Sequence, residues 1–213
     1  MTSRFRTSVA AALIALAPAL AGAQGITGLF NTGVSAGGTK LNVGDTDPHY
    51  TVLENAGAQA IVTNNGAYVQ DANSAYIWQT ASGSPGGVTR TFRTTFMIGA
   101  GYDPLTALIT GQWSTDNAGL DILINGISTG NTSPSFTSFT NFSISSGFIA
   151  GVNTLDFVVQ DQGAPGAFAA RNLTGSASLL APPNTTVPEP ATIVLMGSGL
   201  AAIGFFGARR KKA

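Results

Sequence analysis

The 213-residue chain is only 9% charged, with ten basic and ten acidic residues and no cysteine, against roughly 25% charged residues in an average soluble domain. Disulfides and cysteine-based metal centres or nucleophiles are thereby excluded. Six of the basic residues (Arg4, Arg6, Arg209, Arg210, Lys211, Lys212) sit at the two ends. The body between them keeps four basic residues against nine acids. A mildly acidic body without basic clusters offers no electrostatic footprint for nucleic acid.

Residues 1–23 read as a secretory signal peptide, whose implied partners are the export machinery and a signal peptidase. Arg4 and Arg6 form a positive leading region, Val9 to Leu20 an apolar run, and Ala21-Gly22-Ala23 a small-residue cleavage site. Cleavage after Ala23 makes Gln24 the first mature residue.

Residues 24–180 read as one all-β domain. The 27 glycines and the abundance of Ser, Thr and Asn favour short strands and turns over helices. Apolar residues alternate from Val88 to Ile98, where Phe92, Phe96 and Ile98 share a face, and again at Leu155, Phe157 and Val159. That period of two marks half-buried strands. Phe136 to Ile144 alternates less cleanly, because Phe139 breaks the pattern. Further candidate strands are 50–53, 75–79, 106–113, 120–124 and 173–179. Turn clusters at 116–119, 125–126 and 151–153 separate them, since Asn, Asp and Gly tolerate tight-turn geometry. The expectation is an antiparallel β-sandwich, jelly-roll-like, flanked by an N-terminal signal helix and a C-terminal transmembrane helix.

Residues 181–186 form a Pro/Thr linker. Val187-Pro188-Glu189-Pro190 follows, then an uncharged stretch and the basic run Arg209 to Lys212. The 17 residues from Thr192 to Ala208 would reach about 26 Å as a helix, near the lower limit for a membrane span. The basic run would stop transfer and remain cytoplasmic, leaving the body outside.

This order of parts at the extreme C-terminus resembles the PEP-CTERM sorting signal over residues 187–213. The resemblance implies recognition by an exosortase, transient anchoring in the inner membrane, and processing near Pro188-Glu189-Pro190. The destination would be the cell surface or extracellular matrix. The body is similar to galactose-binding-like jelly rolls of carbohydrate-binding modules. Its echoes include Asp47-Pro48-His49-Tyr50, Ile109-Thr110-Gly111-Gln112-Trp113 and Asn153-Thr154-Leu155-Asp156-Phe157. That likeness implies a non-catalytic module, with exopolysaccharide as a possible ligand.

Candidate chemistry is sparse. His49 is the only histidine, and no Gly-x-Ser-x-Gly elbow accompanies it. Asp45, Asp47 and His49 alternate, but Pro48 interrupts them, so a turn bracing a strand entry is preferred over a metal shell. A secreted hydrolase using His49 and a nearby acid stays open as an alternative, as does a purely structural matrix component. For ligand binding, Asp116, Asn117 and Asn125 cluster in adjacent turns beside Trp113, where they could hold sugar hydroxyls or calcium. Folding residues 111–115 back along 120–124 would place Asn125 at the opposite end of that hairpin from the Asp116-Asn117 pair.

Overall fold

The structure is a computed structural model and describes residues 24–181. The signal segment 1–23, the motif 187–190, the stretch 192–208 and the basic end lie outside the described residues. Among the described residues, helix is confined to two 3-10 turns, Leu53–Asn55 and Pro104–Thr106. No helix there is long and apolar enough to cross a membrane.

Eleven strands follow one another: β1 (Gln24–Gly25), β2 (Thr46–Val52), β3 (Ala58–Thr63), β4 (Tyr76–Trp78), β5 (Thr89–Ile98) and β6 (Leu108–Asp116), then β7 (Ala118–Ile124), β8 (Ile127–Ser128), β9 (Thr140–Ile144), β10 (Gly151–Gln160) and β11 (Ala167–Ala177). Every pairing is antiparallel. They form one continuous sheet in the order β8-β7-β10-β5-β2-β3-β4-β11-β6-β9, with β1 added to β11. That sheet folds over on itself through β3, which makes the expected sandwich out of a single hydrogen-bonded path.

Side chains from strands far apart in that path show the fold-over. The ring of Phe157 on β10 lies 4.7 Å from Phe168 on β11, 5.7 Å from Trp113 on β6 and 5.9 Å from Phe142 on β9. Phe92 on β5 reaches Phe168 at 5.0 Å. These rings, with those of Trp78 and Tyr50 and the Ile122 side chain, are buried, and aromatic pairs at such distances add to the stabilisation from burial itself. The alternation read in β5 holds: Phe92, Thr94, Phe96 and Ile98 point inward and Thr95 and Met97 outward.

Three features differ from expectation. The first concerns β6 and β7, which do not form a hairpin. Each pairs with other strands, β6 with β11 and β9 and β7 with β10 and β8. Only Asn117 joins them, and its N–H donates to the Gln160 carbonyl of β10 at 2.9 Å. The chain is therefore captured by the opposite layer as it leaves β6, so Asp116-Asn117 is a crossover between layers. The close approach there requires Gly119, where a Cβ would lie 2.3 Å from Trp113 Cη2.

The second difference is β3, whose six residues Ala58 to Thr63 were not expected to be a strand. The third is the segment from Phe136, of which only Thr140–Ile144 is a strand. Phe136 and Phe139 instead pack outside the main core, with Tyr68, Tyr76, Ala167 and Ala169. Small alanines on the outer face of β11 leave room for that second aromatic cluster.

Candidate functional site

The four residues singled out for ligand binding are not brought together at a surface. Trp113 is 0% exposed, and its indole N–H has no acceptor among the described residues. It packs in the core and offers no platform to solvent. Asp116 is 7% exposed, and its Oδ2 accepts from the Tyr68 hydroxyl at 3.2 Å, which also donates to the Pro165 carbonyl at 2.9 Å. Burial pushes the Asp116 carboxyl above the usual carboxylate range, the Tyr68 hydrogen bond opposes that, and the charge of Asp161 adds to it. Asn117 Oδ1 accepts from the Gln162 amide at 2.7 Å. The pair thus braces the 161–166 loop.

Asn125 sits at the far end of β7, as the sequence geometry implied. Its Nδ2 donates to Gly147 O and Asn153 Oδ1, and its Oδ1 accepts from the Thr154 amide. It has positive φ (52°), suiting the Asn125-Gly126 turn.

The Asp45-Asp47-His49 run is also occupied internally. Asp47 is fully buried; its Oδ2 accepts from the Gly33 amide at 2.6 Å and its Oδ1 from the His49 amide at 2.8 Å. Burial raises its pKa, while those amides and the charge of His49 act in the opposite direction. The His49 ring stacks on Phe30 at 3.7 Å and lies 3.1 Å from the Ser35 carbonyl through Nε2. The run pins the 30–35 segment to the entry of β2. Among the described residues no group of three or more His, Cys, Asp or Glu side chains is placed to hold a metal.

A concavity with mixed apolar and polar lining lies elsewhere, on the outer face beside β3 and β4. It is shallow, with a volume of about 50 Å³, so a ligand would lie across it and not be enclosed by it. Val62 and Tyr76 form its floor, Val43 and Phe139 its apolar walls, and Lys40, Asn64, Gln70 and Asp71 its polar rim. The connection from β3 to β4 is shaped by local bonds: Gln70 Nε2 donates to the Tyr68 carbonyl at 2.8 Å and to Asn64 Oδ1 at 3.1 Å. That leaves Gln70 Oε1 and Asn64 Nδ2 as an acceptor and a donor at the rim. Lys40 Nζ donates to the Asp71 carbonyl oxygen.

Arg171 of β11 supports this site from behind. Its guanidinium lies 3.9 Å over the Phe139 ring, a cation–π contact. Its Nη1 donates to Asp71 Oδ1 at 2.8 Å and its Nε to Gln112 Oε1 at 2.8 Å. Burial raises the Asp71 carboxyl, but the Ser74 hydroxyl, Arg171 and the Asn73 amide outweigh it and hold the group below the usual carboxylate range. Asp71 is therefore a fixed anion. Tyr76 donates or accepts at the Ser114 hydroxyl at 2.8 Å, and burial pushes its own hydroxyl up to about 12.

Sequence reasoning missed this cleft because its residues come from four separate segments. Phe139 was a visible signal: an aromatic residue out of phase with its neighbours in an expected strand is placed outside the core.

No curated protein matches the chain. Among solved structures, it is similar to a family 35 carbohydrate-binding module from Paenibacillus barcinonensis, at 16% identity over 58% of this chain and 91% of that one, with a TM-score of 0.34. A family 35 carbohydrate-binding module from an environmental isolate matches at 14% identity over 58% and 88%, TM-score 0.34. A cyclase from Fischerella sp. TAU matches at 13% over 71% and 98%, TM-score 0.41. These likenesses are too loose to transfer a ligand or an activity. The C-terminal match is of another kind: residues 186–211 fit the PEP-CTERM protein-sorting motif, so the chain carries the signal of an exported protein anchored through its C-terminal region and recognised by an exosortase.

Proposed function

We propose that the body is a non-catalytic module of the cell surface or matrix, and that the Phe139 cleft binds polysaccharide. The observation that carries this reading is the pairing of an apolar wall, Phe139 and Val43, with a rim of uncharged amides, Asn64 and Gln70. Sugars present apolar ring faces and a girdle of hydroxyls, and those two features match them. Lys40 and Asp71 would fix the orientation of the bound chain.

A binding role is favoured over hydrolysis by the state of the one carboxylate in the cleft. Hydrolysis of a glycosidic bond needs a protonated acid and a second carboxylate opposite it. Asp71 is the single acid among the cleft residues, and Arg171 and Ser74 hold it ionised. Sorting completes the reading: the tail is cut near Pro188-Glu189-Pro190, releasing the body to the matrix.

A glycan array probed with the full chain tests the binding claim. Gln70→Ala is expected to lower affinity for the retained glycans at a stability cost of only about 0.5–1.5 kcal/mol, because Gln70 is exposed and loses hydrogen bonds that water can replace. An array with no retained glycan would overturn it.

A further inference from the structure

The large apolar side chains that stay exposed are concentrated at one end of the sandwich. Eleven are exposed among the described residues, and eight of them belong to that end. Strand β5 finishes there, with Val152 of β10 opposite Met97 and Gly151 opposite Ile98. The turn before β10 adds Ile149, and Ile127 begins β8 opposite Ile124. Strand β6 starts at the same end, where Leu108 faces Ser176 near the end of β11.

The connection from β5 to β6 brings Leu105, which is 86% exposed. It is tied to the chain's exit from the domain. Asp103 N–H donates to the Ser178 carbonyl at 2.8 Å, the Ser178 N–H donates to Thr106 Oγ1 at 2.8 Å, and Tyr102 bridges Leu179. Leu179 and Leu180, 45% and 53% exposed, follow directly. Across the segments 97–108, 125–128, 145–152 and 176–181, Asp103 is the only charged residue, and its Oδ1 is taken up by the Leu105 amide. The opposite end carries Glu54, Arg90, Asp116 and Asp161.

An exposed apolar patch of this extent marks an interaction surface, and the chain itself indicates the partner. The described residues end at Ala181, and only residues 182–191 separate it from the uncharged stretch 192–208. Ten residues span at most about 36 Å when fully extended. The chain leaves the domain from this end, so a contour of that length joins it to the C-terminal region through which the sorting motif signals anchoring. We infer that it is a bilayer-docking surface whose partner is lipid: Leu105, Leu179 and Leu180 enter the headgroup region, as an interfacial apolar face does. Docking would hold the processing site at a fixed height beside the membrane.

The absence of cysteine allows a clean test on the uncut full chain in nanodiscs of phosphatidylethanolamine and phosphatidylglycerol, one chain per disc. Leu105→Cys and, at the opposite end, Leu120→Cys each carry an environment-sensitive fluorophore. Both sites are exposed, so labelling leaves the fold intact, which retained tryptophan emission verifies. The label at 105 is expected to shift to shorter wavelength and lose most of its emission to spin-labelled lipid, while the label at 120 does neither. Equal emission and equal lack of quenching at the two sites would overturn the inference. A blue shift at 105 without quenching by spin-labelled lipid would overturn it too, because protein and not lipid would then cover that end.

Discussion

Gly119→Ala tests the crossing of the two layers at its tightest point. A Cβ at Gly119 would lie 2.3 Å from Trp113 Cη2, 2.5 Å from Cζ3 and 2.8 Å from Cζ2, all closer than carbon atoms approach one another. Trp113 cannot swing away, since it is 0% exposed and packed against Phe157. Overpacking of this kind costs about 1–3 kcal/mol. For a domain of this size 1 kcal/mol moves Tm by roughly 2–4 °C, so a fall of about 2–12 °C is expected. Gly163→Ala is the control: it has nothing within 4 Å of the added carbon and no positive φ, and should stay within about 0.5 kcal/mol of the parent. Thermal and urea denaturation followed by tryptophan emission reads both, because Trp78 and Trp113 are the only tryptophans. Equal stability of the two variants would refute the facing of β6 and β7. Neighbouring hairpin strands would place Gly119 beside a backbone instead of under that ring.

Arg93→Ala removes a bidentate partner, 2.7 Å at each contact, from the buried Asp156 carboxylate, and should destabilise by about 1–3 kcal/mol in urea titrations. Trp78→Phe should cost more than Trp113→Phe by about 0.5–1.5 kcal/mol, because Trp78 Nε1 donates to the Pro85 carbonyl while Trp113 Nε1 has no acceptor among the described residues. Burial raises the folded pKa of Asp116 above its ordinary value of 3.8, so the stability linked to it is fully present below that value and is lost as pH rises through the folded pKa. Asp116→Asn should remove that decline from a stability–pH profile. Asp71, lowered in the fold, contributes in the opposite sense: its stability is present above 3.8 and lost as pH falls through the folded pKa.

The core strands were legible because burial imposes a period of two. Phe92, Phe96 and Ile98, and likewise Leu155, Phe157 and Val159, face the core as their spacing implied. Strand β3 was not, since Ala58-Gln59-Ala60 has little apolar contrast and the strand is held by pairing on both sides with β2 and β4. The Asp116-Asn117 crossover read as a hairpin because turn chemistry is local, whereas its true partner, the Gln160 carbonyl, lies 43 positions away. The cleft was hidden for the same reason. Arg171 and Asp71 are 100 positions apart in sequence, and no local pattern announces that one will support the other. The C-terminal sorting motif was legible, because such a signal is read as a linear segment.

Affinity electrophoresis in gels carrying the polysaccharide of the producing cell's own matrix tests the binding role most directly. The detergent-solubilised full chain is expected to be retarded in those gels and not in plain ones. Phe139→Ala should restore free mobility, Asp116→Asn should not, and no sugar should be released from the gel. Unretarded parent protein, or retardation unaffected by Phe139→Ala, would contradict the cleft as the binding site.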